Sequence, residues 1–363
     1  MASTPKPSLQ TRGKKLSPAE QKVFDAVMAA LPIERPPPDT NVYTLDKLIA
    51  SKESKGVKCP HCNSRTVVKF GIRREVQWYR CKRCEKIFSG LTKTFLDGTK
   101  KKFKVWKKFV MCMIDKFPIR KAAERCNIHR NTAFVWRHKI LDALAHYQEN
   151  QRLTGIVEAD DTYVGLSFKG SEPDDREARQ RGTPSPTPGI SKDKVAVSCA
   201  IARKVRKDRK GRVMYKNGRV MYRTVGFYSK ASSLGRPNAK KLRKVFGRVL
   251  PHRNRTTQFV TDKDSAYAKF AKENRYKHTA LAGGLVRQGD YHVQNINSYH
   301  SHLKGFIRKF RSVSTKYLNN YLVWYNVIEK KKKNRVAILK LCIKPAAKVT
   351  RWAEISDRDP KLT

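Results

Sequence analysis

Acidic residues are scarce in this chain. Only 30 Asp and Glu stand against 80 Lys and Arg in 363 residues, a formal net charge of +50. Self-repulsion on that scale exceeds what solubility needs, and a polyanionic partner is the simplest reason to carry it. Long apolar runs are missing too. No stretch of about 18 apolar residues occurs, so no membrane-spanning helix is expected. Met1 to Lys15 is basic but lacks the apolar centre of a signal peptide, and reads as a mobile arm of a protein expected to be cytoplasmic. Cysteine is sparse: four of the eight form two C-x-x-C pairs, and the others (Cys112, Cys126, Cys199, Cys342) are scattered. That pattern fits a reducing compartment with a metal site better than a disulfide framework.

What is present is ample for real cores. Apolar residues make up 39% and aromatics 9%, and the length suits two or three domains. Ser17-Pro-Ala-Glu20 has the form of a capping box opening a helix to about Leu31. Pro36-Pro-Pro38 breaks the chain, and a short helix is expected near Thr44 to Ser51. Residues 1–54 are therefore assigned to a basic arm and short helices.

Cys59-Pro-His-Cys62 and Cys81-Lys-Arg-Cys84 enclose two β-prone runs, Thr66 to Gly71 and Val76 to Cys81. Two such knuckles present four thiolates to one ion, so residues 55–95 read as a zinc ribbon with Cys59, Cys62, Cys81 and Cys84 as Zn2+ ligands. His61 lies inside a knuckle turn and is not needed. Over 100–147 the spacing changes to helical. Phe103, Trp106, Phe109, Val110 and Met113 mark one helix, and Pro118 to Cys126 a second. Asn127-Ile-His129 is a turn, and Arg130 onward a third helix. This is a helix-turn-helix pattern, with Ala122, Ala123 and Ile128 packing at the crossing and Ala133, Val135, Trp136 and Ile140 as core anchors. Arg130, Asn131, Thr132, Arg137 and Lys139 fall on the expected exposed face, where Arg and Asn can read base edges in a major groove.

From about 150 to 330 strands come first, then strands alternating with helices. Gly155 to Val164 and Val195 to Ile201 read as strands, separated by a polar loop over Ser167 to Ser191. Arg-Val-Met-Tyr recurs on both sides of Lys216-Asn-Gly218, which predicts a hairpin. Val225 to Tyr228 continues as strand, Ala239 to Val249 is an amphipathic helix, and Thr257 to Asp262 is a strand followed by a helix from about Ser265. A long helix is expected over Asn295 to Phe310. This order suits an α/β domain, a mixed sheet flanked by helices; residues 331–363 form a basic C-terminal extension. Metal-dependent phosphodiester chemistry needs acidic oxygens on neighbouring strand ends. In so acid-poor a domain Asp160 and Asp262 stand out, although each taken alone reads better as a surface or capping aspartate.

The ribbon, the helix-turn-helix and three blocks in order carry a resemblance. The blocks are Val157-Glu-Ala-Asp160-Asp-Thr-Tyr-Val-Gly165, Val260-Thr-Asp262-Lys-Asp-Ser-Ala-Tyr267, and His292-Val-Gln-Asn-Ile-Asn297-Ser-Tyr-His-Ser-His-Leu-Lys304. Together they resemble the insertion-sequence transposases of the DDE superfamily, in the zinc-ribbon-containing, ISXO2-like branch with an Asp-Asp-Asn-Lys site. The resemblance implies a ribonuclease H-like catalytic domain, metal-dependent strand cleavage and strand transfer at terminal inverted repeats, and Mg2+ or Mn2+ as cofactor. Asp160, Asp262 and Asn297 match its metal-binding positions and Lys304 its lysine. The partner is double-stranded DNA, as transposon ends and target, and two ends call for a homodimer or higher assembly on DNA.

The residues bear this chemistry. An Asn297 carbonyl suits a hard cation but adds no charge. Lys304 lies two helical turns beyond it on the same face, within reach of a phosphate. Asp160 and Asp161 must face opposite ways along a strand, so only one addresses the metal; Glu158 shares the face of Asp160 and is a candidate to assist. Asp264 reads as a helix N-cap. Gln294 stands where the family often has a second Asn, and His292 is either a water-positioning or a structural group. The rival function is a domesticated, inactive transposase retained as a sequence-specific DNA-binding protein.

Overall fold

The structure, a computed structural model, describes residues 56–73, 76–93, 96–149, 151–170, 189–250, 257–281, 287–310, 313–331, 334–335, 337–338 and 341. The helices expected near Ser17 and Thr44, most of the polar loop after Ser167 and most of the C-terminal extension lie outside the described residues. Among the described residues no helix is long and apolar enough to cross a membrane.

Three antiparallel strands, β1 (Val67–Arg73), β2 (Val76–Cys81) and β3 (Ile87–Ser89), form a small sheet next to the cysteine pairs. Its core is only Cys59, Tyr79, Cys81 and Phe88, with a few half-buried neighbours. So few apolar groups cannot hold a sheet by burial alone, and a crosslinking ion is the usual remedy.

Three helices follow: α1 (Phe103–Ile114), α2 (Ile119–Cys126) and α3 (Arg130–Glu149). Asn127 ends α2 in the left-handed region at φ 49°, a conformation Asn tolerates, and its N–H closes on Glu124 O. Beyond α3 lies a five-stranded mixed sheet in the order β10-β9-β4-β5-β8. Here β4 is Ile156–Gly165, β5 Lys194–Val205, β8 Tyr222–Leu234, β9 Gln258–Asp262 and β10 Lys277–Leu281. Strand β4 pairs antiparallel with β5 and parallel with β9, so the sheet changes sense at β4. Gly155 leads into β4 at φ 94°, where a Cβ would come within 2.5 Å of Arg203 O; only glycine permits that approach. Two tiny strands, β6 (Tyr215–Lys216) and β7 (Arg219–Val220), form the hairpin around Asn217 and Gly218.

Both faces of the sheet are covered. On one, Val157, Ala159, Ala200 and Ala202 meet α4 (Ala239–Phe246) and α5 (Ser265–Glu273) through Leu242, Phe246, Tyr267 and Phe270. On the other, Val195, Val197, Cys199 and Ile201 meet α6 (Gln294–Arg308) and α7 (Thr315–Lys330). That second core continues through Trp106, Phe109, Trp136 and Leu141, so α1 and α3 share it with the sheet. Burial on both sides explains why Val195 to Ala202 of β5 is apolar at every position but Ser198. The last hairpin, β11 (Arg287–Gln288) with β12 (Tyr291–His292), leads directly into α6.

One expected DNA-facing residue is displaced by this packing. Arg137, assigned to the exposed face of α3, is only 3% exposed. Its guanidinium donates to Phe117 O at 2.6 Å and lies over the Phe310 ring. The cause is that α3 is covered on two sides. Trp136 stacks on Trp106 of α1, while Phe134 and His138 pack on Tyr317 of α7. Arg130 and Asn131 are exposed, and Thr132 and Lys139 are half-buried.

A buried polar cluster ties these layers together. Gln148 donates to Ser229 O at 2.8 Å, Tyr299 donates to Ser229 Oγ at 2.9 Å, and Asn326 donates to Gln148 and to Ser229 Oγ. It joins α3, β8, α6 and α7. Asn326→Ala strands several buried partners and is expected to cost on the order of 2–4 kcal/mol in urea unfolding; an unchanged unfolding midpoint and slope would show that the cluster does not tie the layers.

Candidate active site and metal centres

The knuckles are built alike. In each, the residue four positions after the first cysteine adopts a left-handed conformation (Asn63 at φ 60°, Glu85 at φ 57°), and its N–H donates to that cysteine's carbonyl at 2.9 Å. This turns both thiols of a pair to one side. Cys59 Sγ lies 3.6 Å from Cys84 Sγ, and Cys62 Sγ 3.5 Å from Cys81 Sγ. All four sulfur atoms are within 4.8 Å of one another. A tetrahedral Zn2+ at about 2.3 Å from each sulfur needs sulfurs roughly 3.8 Å apart, so the cluster fits that ion.

The acidic residues sit where the sheet changes sense. Strand β4 pairs with β9 from Ile156↔Gln258 to Glu158↔Val260. Carrying that register two residues further sets Asp160 beside Asp262, and partners in a parallel register share a face. Asp262 is exposed at the end of β9 and Asp160 is partly buried. Burial and then the charge of Asp262 push the Asp160 carboxyl up to about 7. Two carboxylates that hinder each other's ionisation without a counter-ion are what a divalent cation relieves.

Helix α6 lies over this face. Asn297, His300 and Lys304 form one stripe at three- and four-residue spacing, with Asn297 and Lys304 exposed. His300 between them is buried, its Nδ1 3.7 Å from Asp160 Oδ2. Burial and the nearby Lys304 charge bring the His300 pKa down to about 4, so it is neutral at pH 7 and packs against Asp160 without an ion pair. The stripe thus puts an amide oxygen one turn from the Asp160 contact and an ammonium one turn beyond it.

Glu158 does something other than face a metal. It is fully buried, and its carboxylate accepts Arg203 Nε at 2.7 Å, Asn295 Nδ2 at 2.7 Å, Asn295 N at 3.0 Å and Ile296 N at 3.2 Å. It therefore caps the start of α6 and fastens that helix to β4. Asp161 lies on the opposite face, where Tyr267 OH donates to Oδ1 at 2.8 Å. Burial pushes its carboxyl up to about 6 despite hydrogen bonds from Ser198 and Tyr267. Asp264 caps α5 by accepting Ala266 N at 2.8 Å. His292 is half-buried with Nδ1 3.6 Å from Glu158 Oε1, on the supporting side of the helix cap. The capping role of Glu158 was missed from sequence, although a carboxylate inside an apolar strand signals a buried partner.

Part of the chain is similar to known sequences. The sequence model of the family described as ISXO2-like transposase domain matches residues 152–324. That segment, just under half of the chain, holds both aspartates and all of α6, and its similarity is to this family of transposase domains. A protein of Halobacterium salinarum, described as an uncharacterized protein in transposable element ISH50, is 30% identical over 128 residues. The match spans 35% of this chain and 42% of that relative's length. Among solved structures, a pre-cleavage Mos1 transpososome is 11% identical with a TM-score of 0.19, covering 67% of this chain and 79% of that one. The Mos1 strand transfer complex is 12% identical with a TM-score of 0.21, covering 68% and 79%. Superposition is slight at those scores, and the architecture rests on the strand order given above.

Cys81→Ser is expected to lower bound zinc from about one ion per chain to a small fraction on elemental analysis; undiminished zinc would refute a four-thiolate site. A second expectation concerns pH. The folded pKa of Asp160 lies above its unfolded value, so metal-free protein loses stability as pH rises from about 4 through about 7. Asp262→Asn removes the second cause of that shift and should flatten the loss in thermal melts between about pH 5 and about pH 8. Identical pH slopes in the two proteins would mean the carboxyls do not sense each other.

Proposed function

We propose that this chain is a DNA transposase that binds the terminal inverted repeats of an insertion sequence, cuts the strands there and joins them to target DNA. The observation that carries the reading is the placement of Asp160 and Asp262 on one face of adjacent parallel strands, under a helix bearing Asn297 and Lys304. The strand order, with the antiparallel β4-β5-β8 on one side and parallel β9 and β10 on the other, supports a ribonuclease H-like catalytic domain.

In this reading Asp160, Asp262 and the Asn297 carbonyl hold Mg2+ or Mn2+. A divalent ion in that position, when bound, activates the attacking oxygen and steadies the leaving one. Asn297 contributes no charge, so the two carboxylates supply all the anionic attraction. His300 packs against Asp160 from the helix side. Lys304 meets a phosphate next to the cut, and its charge offsets the repulsion between the DNA and the carboxylates. Glu158 keeps Asn297 and Lys304 in register with Asp160 through the helix cap.

The remaining parts bring DNA to that site. Helices α2 and α3 act as a helix-turn-helix in which exposed Arg130 and Asn131, with Thr132 beside them, read base edges; Lys139 contacts backbone. Arg137 is left out of this set because its guanidinium is engaged in the core. The zinc ribbon is a second DNA-contacting module, and two element ends require at least a homodimer on DNA.

The test is strand cleavage in vitro on DNA carrying the element's own ends, with Mg2+ or Mn2+. Wild type is expected to nick at the ends, and Asp262→Ala to lose at least about 100-fold, at or beyond the upper limit for losing a ligand's supporting partner. Equal cleavage by both proteins would overturn the metal role. End-specific binding with no cleavage by wild type would replace the reading with an inactive DNA-binding protein.

A further inference from the structure

Between β5 and β8 the chain leaves the sheet and folds into an arm. Arg206 N donates to Met221 O at 2.7 Å, Met214 N to Arg206 O at 2.9 Å and Met221 N to Met214 O at 2.9 Å, so three short segments are laced side by side. Two tight turns close it. Asp208 accepts from Lys210 N and Arg212 N, each at 2.9 Å, in the first turn. In the second, Asn217 and Gly218 both have positive φ (50° and 71°), the geometry of a two-residue hairpin turn. The arm is thus a defined structure, and the charge on its surface is almost all positive, beside exposed Val213 and Tyr215. From 204 to 223, nine exposed Lys and Arg face one Asp, Asp208.

At the base of the arm is a cavity of about 640 Å³. Its floor is rigid. Arg203, held by Glu158, also donates to Asp290 O at 2.6 Å and lies over the Tyr222 ring, while Tyr222 OH donates to Asp290 Oδ2 at 3.0 Å. Its rim carries Lys216, Arg219 and Arg287. Arg287 has Asp290 within 3.9 Å, whereas Lys216 and Arg219 have no carboxylate partner among the described residues. Asn295 also lines the cavity, two residues before Asn297 on α6. Arg203 on its floor pairs with Ile156, four residues along β4 from Asp160, so the floor lies about 13 Å from the acidic pair along the sheet.

We infer that the arm over 204–223 and the basic cavity at its base grip the phosphodiester backbone of the DNA strand next to the cut, as a binding element separate from α3. The inference rests on the transposase reading and adds to it the part of the chain that holds DNA beside the acidic residues. The chemistry is that of a polyanion with regularly spaced singly charged groups. Two unpaired cations on the rim of a built pocket suit it, whereas a neutral ligand would leave them unmatched.

Backbone contacts are indifferent to sequence, so a fluorescein-labelled random duplex is a sufficient probe, used with full-length, metal-free protein in EDTA. Lys216→Ala/Arg219→Ala is compared with Lys240→Ala/Lys244→Ala, which removes the same charge from exposed positions on α4. The arm variant is expected to bind at least about 10-fold more weakly at 0.1 M salt, and its slope of log affinity against log salt to fall by nearly 2, about 0.9 per lost phosphate contact. The α4 variant should leave the slope nearly unchanged. Equal losses in both would reduce the effect to bulk charge and overturn the inference, as would an arm variant that binds like wild type with an unchanged melting curve. No metal and no cleavage enter this readout, so it does not depend on what the acidic residues do. A protein that never cuts DNA but loses affinity through the arm would sink the transposase reading and leave the grip standing.

Discussion

The site depends on one buried carboxylate. Glu158 has no contact with solvent, and an unpaired charge there would be prohibitive. It is met by the guanidinium of Arg203 and by the first N–H groups of α6, which carry the positive end of the helix dipole. Removing one partner of such a pair costs about 3–5 kcal/mol because the other charge is left buried. The same bonds fix where α6 begins relative to β4. Asp160 is two residues along the strand and Asn297 one residue past the capped N–H groups. The spacing between a strand carboxylate and a helix amide is therefore set by a contact that touches neither.

Charge is segregated around this lock. Acidic groups are few, and Asp160 and Asp161 in the middle of β4 gather with Asp262 and Asp264 at the end of β9, where burial and then their repulsion raise the Asp160 carboxyl. Cations crowd the arm, the cavity rim and the exposed start of α3. A polyanion is drawn to the periphery and meets its only local repulsion at the acidic pair, which a divalent ion reverses. Electrostatic attraction and the need for metal thus follow from one distribution of charge.

Much of this was legible in the sequence where a local rule operates. The cysteine spacing reports four thiols facing one point because knuckle turns are local, and Lys216-Asn-Gly218 reports its hairpin because positive φ is a property of Asn and Gly. Asp160 was visible as a carboxylate on a strand and Asp262 as one at a strand end, though only the resemblance joined them to Asn297 and Lys304. What was not legible is long-range. Arg203 lies 45 residues from Glu158 and Asn295 lies 137 away, so no pattern in the sequence announces the cap. Arg137 looked exposed because helical periodicity assumes one buried face, and α3 has two. Helix α7 escaped spacing arguments for a related reason: Leu318, Tyr321, Leu322, Val323, Trp324, Tyr325, Val327 and Ile328 are all buried and circle the helix.

The central claim is that β4, β9 and α6 converge on one divalent cation. Crystals of the protein soaked in Mn2+, with diffraction recorded at the manganese absorption edge, test it without any assay of activity. The account predicts an anomalous peak bounded by carboxylate oxygens of Asp160 and Asp262 and the amide oxygen of Asn297, and no such peak in Asp262→Ala crystals. Manganese bound only elsewhere, or coordinates in which those three side chains share no common point within coordination distance, would contradict it.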